Sequence, residues 1–375
     1  MPQIDRKFLL LLGIILLLGF VMLTSASGPV AYQKFGDAYW YVKHQLFYGL
    51  LPGAILFFLL SHIDYRALRR LAKPLFIASL VLLLLVFVPG IGAEWGTSRS
   101  WINLGGFSFQ PAEVVKFSLL MFLADWLARC TKEEISDPQQ GLLPFLLSLG
   151  VVAVLVMLQP DLGSLSVIVA LAVIVYFLAG ASWYHLLGLT VGGIIALWAL
   201  IASAPYRAAR FMTFLHPEFD PQGIGYHINQ SFLAIGSGGL FGLGLGHSRQ
   251  KYMYLPEVVG DSIFAVMAEE FGFIMTLLVL ALMAAFILRL ISLAKQAPDS
   301  YSSLLVAGVA GWLVSQILLN IGSMVGLFPM TGLPLPFVSH GGTALLVLLG
   351  TMGVVANVTR HIDAANKPRK MRRTI

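Results

Sequence analysis

Charge is what this sequence has least of. Only 11% of its 375 residues are Asp, Glu, Lys or Arg, against about 25% in an ordinary soluble domain, while 58% are apolar. That balance excludes a soluble globular enzyme. Cys130 is the single cysteine, so no intrachain disulfide can brace a part that faces an oxidising compartment. The eight His residues are scattered without an HxxxH pair or a His/Cys cluster, which leaves a zinc site little support. GxSxG is absent as well, and the glycine run from Gly236 to Gly246 has no strand before it and no Walker lysine after it. A nucleotide loop is therefore a poor reading of that run, and close backbone packing in a re-entrant segment a better one.

Long apolar runs take the place of charge. Stretches able to cross about 30 Å of hydrocarbon occur at 8–27, 44–62, 75–92, 108–128, 141–159, 163–181, 183–203, 262–288, 303–325 and 337–359. This predicts an all-α polytopic membrane domain of ten helices spanning residues 1–375. The first run follows Asp5, Arg6 and Lys7 like a signal peptide, but its length and the spans after it make it a retained helix. Lys and Arg concentrate in the loops that a cytoplasmic N-terminus places inside, and in a basic tail at 360–375. The net charge of +6 is thus an orientation signal rather than a sign of nucleic-acid binding, and both termini are expected in the cytoplasm. The even count puts the long segment 204–261 outside, together with Gly92–Gly106, Gln159–Leu162 and Met324–Pro336. Its aromatic, glycine and charged composition predicts short interfacial or re-entrant helices.

Chemistry is sought in the polar residues of these outer segments. Glu113 and Lys116 stand three apart on one helix face, at a depth where unpaired charge is costly. They read either as a buried ion pair locking helices together, or with Lys116 binding a substrate phosphate or the carboxylate of Asp161. Asp161 follows Pro160 and can cap the next helix. Asp261 precedes an apolar span in a segment that also holds Glu257, Glu269 and Glu270. It can be an N-cap, or a general base whose pKa an apolar wall raises. In a regular helix Glu269 would lie about 12 Å deeper, lining a polar interior or neutralised by desolvation. Arg207 and Arg210, with Arg249 and Lys251, suit either anionic headgroups or a pyrophosphate.

Five segments together resemble the SEDS (shape, elongation, division and sporulation) family of FtsW, RodA and SpoVE. They are Ser100-Trp101-Ile102-Asn103-Leu104-Gly105-Gly106-Phe107-Ser108-Phe109-Gln110-Pro111-Ala112-Glu113-Val114-Val115-Lys116, then Gln159-Pro160-Asp161-Leu162-Gly163, the stretch Gly225 to Ser231 with the glycine run, Leu255 to Gly272, and Gly332 to Gly342. Their order covers almost the whole chain. Motif detail around Phe214 to Pro221 and Ser248 to Glu257 is closest to FtsW, the division type. Two details depart from the family pattern: Val259-Gly260 stand where His-Thr is frequent, and His340 where Tyr is common.

The resemblance implies ten transmembrane helices in the bacterial cytoplasmic membrane and a peptidoglycan glycosyltransferase polymerising lipid II outside it. Asp261 then matches the family's essential aspartate, and Glu113, Lys116 and Asp161 its characteristic polar positions. The expected substrate-binding set is Glu113, Lys116, Asp161, Arg207, Arg210, Arg249, Lys251 and Glu257. A leaving pyrophosphate needs charge stabilisation, from Arg207, Arg210, Lys116 or a divalent cation such as Mg or Mn, for which no ligands are assigned. Expected partners are lipid II, a class B penicillin-binding transpeptidase and other division or elongation proteins. The rival from another class is a lipid II flippase, which needs polar residues at both depths of the membrane.

Overall fold

The structure is a computed structural model that describes residues 3–95, 98–104, 107–203, 205–220 and 223–366. Residues 367–375 of the basic tail, and Gly105 and Gly106 of the first motif, lie outside the described residues. Helices overlap all ten predicted stretches. Seven of them, among the described residues, are long and apolar enough to cross a membrane.

The first is α1, Arg6–Phe35, which Asp5 caps by accepting the Phe8 N–H at 2.7 Å and Gly36 ends in the left-handed region at φ 72°. Helix α2, Trp40–His62, widens to a π-helical stretch at Gln45–Leu50, just before Pro52, whose ring cannot fit a regular i−4 turn. Short α3, Tyr65–Arg70, leads to α4, Ala72–Leu85. Then come α5, Pro111–Leu127, the short α6, Lys132–Ser136, α7, Pro138–Leu158, α8, Leu162–Leu178, and α9, Trp183–Ala202. The long segment folds into α10, Pro205–Leu215, and α11, Ile224–Ser237. Helices α12, Ile263–Gln296, α13, Ser300–Met324, and α14, Gly342–Asn366, complete the chain.

Enclosure follows polarity rather than apolarity. Helices α13 and α14 are central and carry Ser, Thr, Asn and Gln, whereas α9 turns Trp198, Ile194 and Ile195 outward, Trp198 being 72% exposed. Such a surface is stable only in lipid. Helix α14 packs on α2, α13 lies between α8 and α12, and α4 lies along α5.

Two features depart from the sequence reading. First, the fold is mostly rather than wholly helical. Gly92–Trp95, Ser98–Leu104 and Phe107–Phe109 form antiparallel strands β1, β2 and β3, with Gly92 opposite Ile102 and Ile102 opposite Phe109. Ile102 and Leu104 on β2, opposite Phe109 and Phe107 on β3, alternate as a half-buried sheet requires, and a Gly-Gly pair between two such runs is a hairpin signal.

Second, α12 is broken. Gly272 has φ 71° and ψ −179°, and a Cβ there would lie 2.1 Å from the Gly242 nitrogen. The glycine run fills the break with its own backbone. Leu243 and Gly244 donate to the carbonyls of Glu269 and Glu270 at 3.0 Å, and Phe273 donates to the Gly239 carbonyl at 2.9 Å. The backbone groups that the break frees are thus satisfied inside the protein, as apolar surroundings demand. This is the close packing expected of the glycine run.

Candidate functional site

The turn that presents Asp261 is fixed from three sides. Gly260 and Ser262 donate to the Glu257 carbonyl at 2.9 and 3.3 Å, with Glu257 itself at φ 48°. Asn320 of α13 donates to the Asp261 carbonyl at 2.8 Å and to the Leu333 carbonyl at 2.7 Å, and His340 N–H donates to Val259 at 2.8 Å. The side chain of Asp261 does not cap α12: the residue at the cap is Ser262, which makes no side-chain cap bond. One carboxylate oxygen accepts the Ser262 hydroxyl at 3.3 Å, and besides its own backbone N–H the carboxylate has no other hydrogen-bond donor among the described residues. Asp261 is only 7% exposed.

Burial therefore raises its pKa to about 7, and repulsion from Glu257 adds to the rise, while the Ser262 hydrogen bond and the Arg210 charge pull it partly back. A carboxylate with so few donors and this affinity for a proton has the properties of a general base at neutral pH. Ser262 is in turn 2.6 Å from His227 Nε2 of α11. Burial and the charge of Arg210 hold that imidazole down at about 4, so it is neutral. His340, 3.2 Å from His44, is likewise kept neutral, its pKa lowered to about 3 by burial.

The predicted residues divide around this centre. Arg210 is near enough for its charge to act on both Asp261 and His227. Arg207 instead turns back on α9, donating to the Leu200 carbonyl and the Ser203 hydroxyl at 3.3 Å. Glu257 and Arg249 are exposed. Lys251 is buried, and its three donors go to Glu270 at 2.8 Å, the Gly246 carbonyl at 2.7 Å and Ser25 at 3.3 Å. An ammonium group has no fourth donor, so in this structure Lys251 braces the glycine segment and has none left for a substrate. Glu269 accepts from the Ser248 hydroxyl at 2.5 Å and the Arg249 N–H at 2.9 Å. Both carboxylates thus hold the segment against α12.

Lys116 pairs with Glu113 at 2.8 Å, wholly buried, donates to Gln316 Oε1 at 3.1 Å and lies 5.1 Å from the Trp312 ring centre. The alternative partner, Asp161, does not reach it. Asp161 caps α8 through Ser164 N–H at 2.9 Å and accepts from Gln110 at 3.1 Å. Helix α13 joins the two constellations, because Gln316 and Asn320 lie one turn apart on it. Gln316 donates to the Pro334 carbonyl at 2.9 Å, next to the Leu333 carbonyl that Asn320 holds. Among the described residues no three His, Cys, Asp or Glu come together as a metal cage.

Sequence reasoning passed over His227, Ser262, Gln316 and Asn320. The last two carried a readable signal, an i, i+4 pair of amides inside an apolar span. His227 had none, since its role depends on how α11 docks.

Residues 5–364 match the FtsW/RodA/SpoVE family, described as cell cycle protein. The chain belongs to that family. Stage V sporulation protein E of Bacillus subtilis (strain 168) is 40% identical over 95% of this chain and 97% of its own length. The probable peptidoglycan glycosyltransferase FtsW of Geobacter sp. (strain M18) is 37% identical over 96% and 98%. Among solved structures, a chain from a peptidoglycan synthase complex that coordinates polymerization and crosslinking superposes with a TM-score of 0.79 at 32% identity, covering 96% of this chain and 98% of that one. Rod shape determining protein RodA of Thermus thermophilus gives 0.70 at 34% identity over 95% and 97%. With seven long apolar helices, this member is a multi-pass membrane protein.

Proposed function

We propose that this chain is a peptidoglycan glycosyltransferase that polymerises lipid II on the outer face of the bacterial cytoplasmic membrane. The observation that carries the proposal is Asp261: buried, with few hydrogen-bond donors, its pKa near 7, with Arg210 close by. The relatives named as peptidoglycan glycosyltransferases support the reaction class. Asp261 takes the proton of the acceptor sugar's 4-hydroxyl while that oxygen attacks the anomeric carbon of the donor. The bond from that carbon to the pyrophosphate breaks, and undecaprenyl pyrophosphate leaves with the electron pair. One displacement inverts the anomeric centre. Arg210 offsets the charge that develops on the leaving group, and the exposed Arg249 is available to the same lipid-linked pyrophosphate.

The same proposal gives the chain ten membrane crossings, both termini in the cytoplasm and α10–α11 outside. Its support is the placement of the described arginines: Arg66, Arg69, Arg70 and Arg129 gather at the end of the molecule opposite Asp261. A class B penicillin-binding transpeptidase is the proposed partner, since a solved relative belongs to a complex that also crosslinks, and septal synthesis the proposed setting.

The test is polymerisation of labelled lipid II by the purified protein, alone and with a transpeptidase, for wild type and Asp261→Asn. Glycan strands from wild type only are expected. Strands from a folded Asp261→Asn protein would refute the base assignment, and lipid II crossing vesicles without strands would make the chain a flippase.

A further inference from the structure

A cavity of about 600 Å³ opens at the end of the molecule away from Asp261, lined by Tyr65, Arg66, Arg69, Arg70, Arg129 and Asp299. Helix α12 separates the two: Asp261 lies just before its first residue and Asp299 just after its last, and its unbroken part beyond Gly272, residues 273–296, is about 36 Å long. The cavity therefore belongs to a different surface from the proposed reaction centre.

Its electrostatics are unbalanced. Asp125, at the far end of α5, serves both Arg69 at 2.5 Å and Arg129 at 2.8 Å. Asp299 is occupied by the Tyr65 hydroxyl and the Ser302 N–H. Asp64 caps α3 through the Arg66 N–H and lies 3.6 Å from His361. Arg66 and Arg70 make no ion pair among the described residues. Asp64 and Asp299 lie near enough for their charge to act on Arg66, but even with both counted four arginines face three carboxylates, and Arg70 makes no ion pair among the described residues.

The guanidinium groups of Arg66 and Arg69 are also held in place before any ligand arrives. Arg66 lies over the Tyr65 ring at 5.6 Å and Arg69 over the Tyr301 ring at 5.1 Å, and the two rings stack at 6.3 Å. Stacking on a rigid aromatic floor removes much of the side-chain entropy that gripping an anion would otherwise cost. Tyr301 is 1% exposed and its hydroxyl has no hydrogen-bond partner among the described residues. The volume falls within the range of small-ligand sites.

We propose that this cavity is a second binding site, specific for a phosphate-bearing anion, with Arg66 and Arg70 as the groups that grip the phosphate. Planar guanidinium forks match phosphate oxygens two at a time, which a lysine cluster would not. A phosphate reaches a membrane protein either on the headgroup of an anionic lipid or on a small soluble compound. The site is independent of the transferase reading and stands whatever Asp261 does.

The test uses the full-length protein in a non-ionic detergent, with thermal unfolding and a binding isotherm as readouts. Short-chain phosphatidylglycerol, inorganic phosphate and short-chain phosphatidylcholine are the probes. Phosphatidylglycerol is expected to raise Tm saturably and phosphatidylcholine not to. In Arg66→Ala/Arg70→Ala the apparent Kd should weaken by at least about tenfold, the loss of one good charge-assisted contact or more. If that double variant does not fold, Arg70→Gln replaces it, because Arg70 is exposed and its side chain makes no hydrogen bond or ion pair among the described residues. A rise with phosphatidylglycerol alone identifies a lipid headgroup, and an equal rise with inorganic phosphate identifies a soluble phosphoryl ligand. An equal response to phosphatidylcholine, no response to any probe, or an undiminished response in the variants would overturn the site.

Discussion

At the residue scale the question is what makes one aspartate reactive among neighbours that are merely buried. Glu113, Glu269 and Glu270 are as enclosed as Asp261, yet each is matched by Lys116, by a hydroxyl and backbone N–H groups, or by Lys251. Asp261 has only the long Ser262 hydrogen bond, its own backbone N–H and the charge of Arg210, so desolvation dominates and its pKa rises to about 7. The activity should therefore need the ionised carboxylate and fall as the medium is acidified through that pH. Stability moves the other way. Between the unfolded value near 4 and the folded value near 7 the native state binds the extra proton, so stability is full below the lower value and declines as pH rises to the upper one. The penalty above pH 7 is about 4 kcal/mol at most. Asp261→Asn should be inactive yet more heat-resistant than wild type at pH 8, with the difference shrinking as pH falls and vanishing near pH 4. A Tm below wild type at pH 8 would contradict this.

Ser262 gives a finer test at the same scale. It is the side chain that donates to the ionised form of Asp261, with His227 Nε2 on its other side. Ser262→Ala should move the acid limb of the pH–rate profile upward, because the charged form loses a donor. A downward or absent shift would show that the serine hydroxyl is turned to His227 instead. In the sequence Asp261 stood out by its position, but its dependence on His227 was invisible, because 34 residues of chain and the docking of α11 on α12 separate the two.

At the scale of elements, the breaks matter more than the spans. The apolar runs were legible because a membrane-crossing helix needs nothing more than length and composition. The break at Gly272 was not, since Leu255 to Gly272 reads as one helix with acidic residues until the glycine segment is brought against it. There the positive φ and the 2.1 Å approach to Gly242 leave no room for a side chain. Gly272→Ala should cost about 3 kcal/mol or more, through left-handed strain plus a backbone clash, read as a fall in Tm. Gly13 is the control, because a Cβ there meets nothing within 4 Å. An equal effect at both positions would remove the close-packing account.

The Glu113–Lys116 pair couples elements in a similar way, tying α5 to α13 through Gln316. Both residues could be picked out in the sequence, whereas the choice between pairing and substrate binding could not, because Gln316 lies 200 positions away. Lys116→Met should cost about 3–5 kcal/mol by stranding Glu113, and Glu113→Gln/Lys116→Met should recover most of that. Additive losses in thermal unfolding of the single and double variants would argue that the two residues act separately.

At the scale of the whole molecule the two ends of α12 differ in kind. One carries a carboxylate in a buried turn beside Arg210; the other carries an arginine-lined cavity and Lys295. Membrane insertion reads this asymmetry, since basic residues near helix ends are retained on the cytoplasmic side. On the proposed function the same asymmetry would orient the chemistry, because an activated sugar donor consumed outside would have to meet Asp261 there. Orientation can be measured apart from activity. In a Cys130→Ser background, Tyr252→Cys and Lys295→Cys place single thiols at exposed positions near opposite ends of the protein. An impermeant maleimide should label the first in right-side-out spheroplasts and the second only after lysis or in inverted vesicles. The reverse pattern would put Asp261 in the cytoplasm, where polymerisation of an exported lipid-linked sugar could not occur, and the proposed function would fall with it.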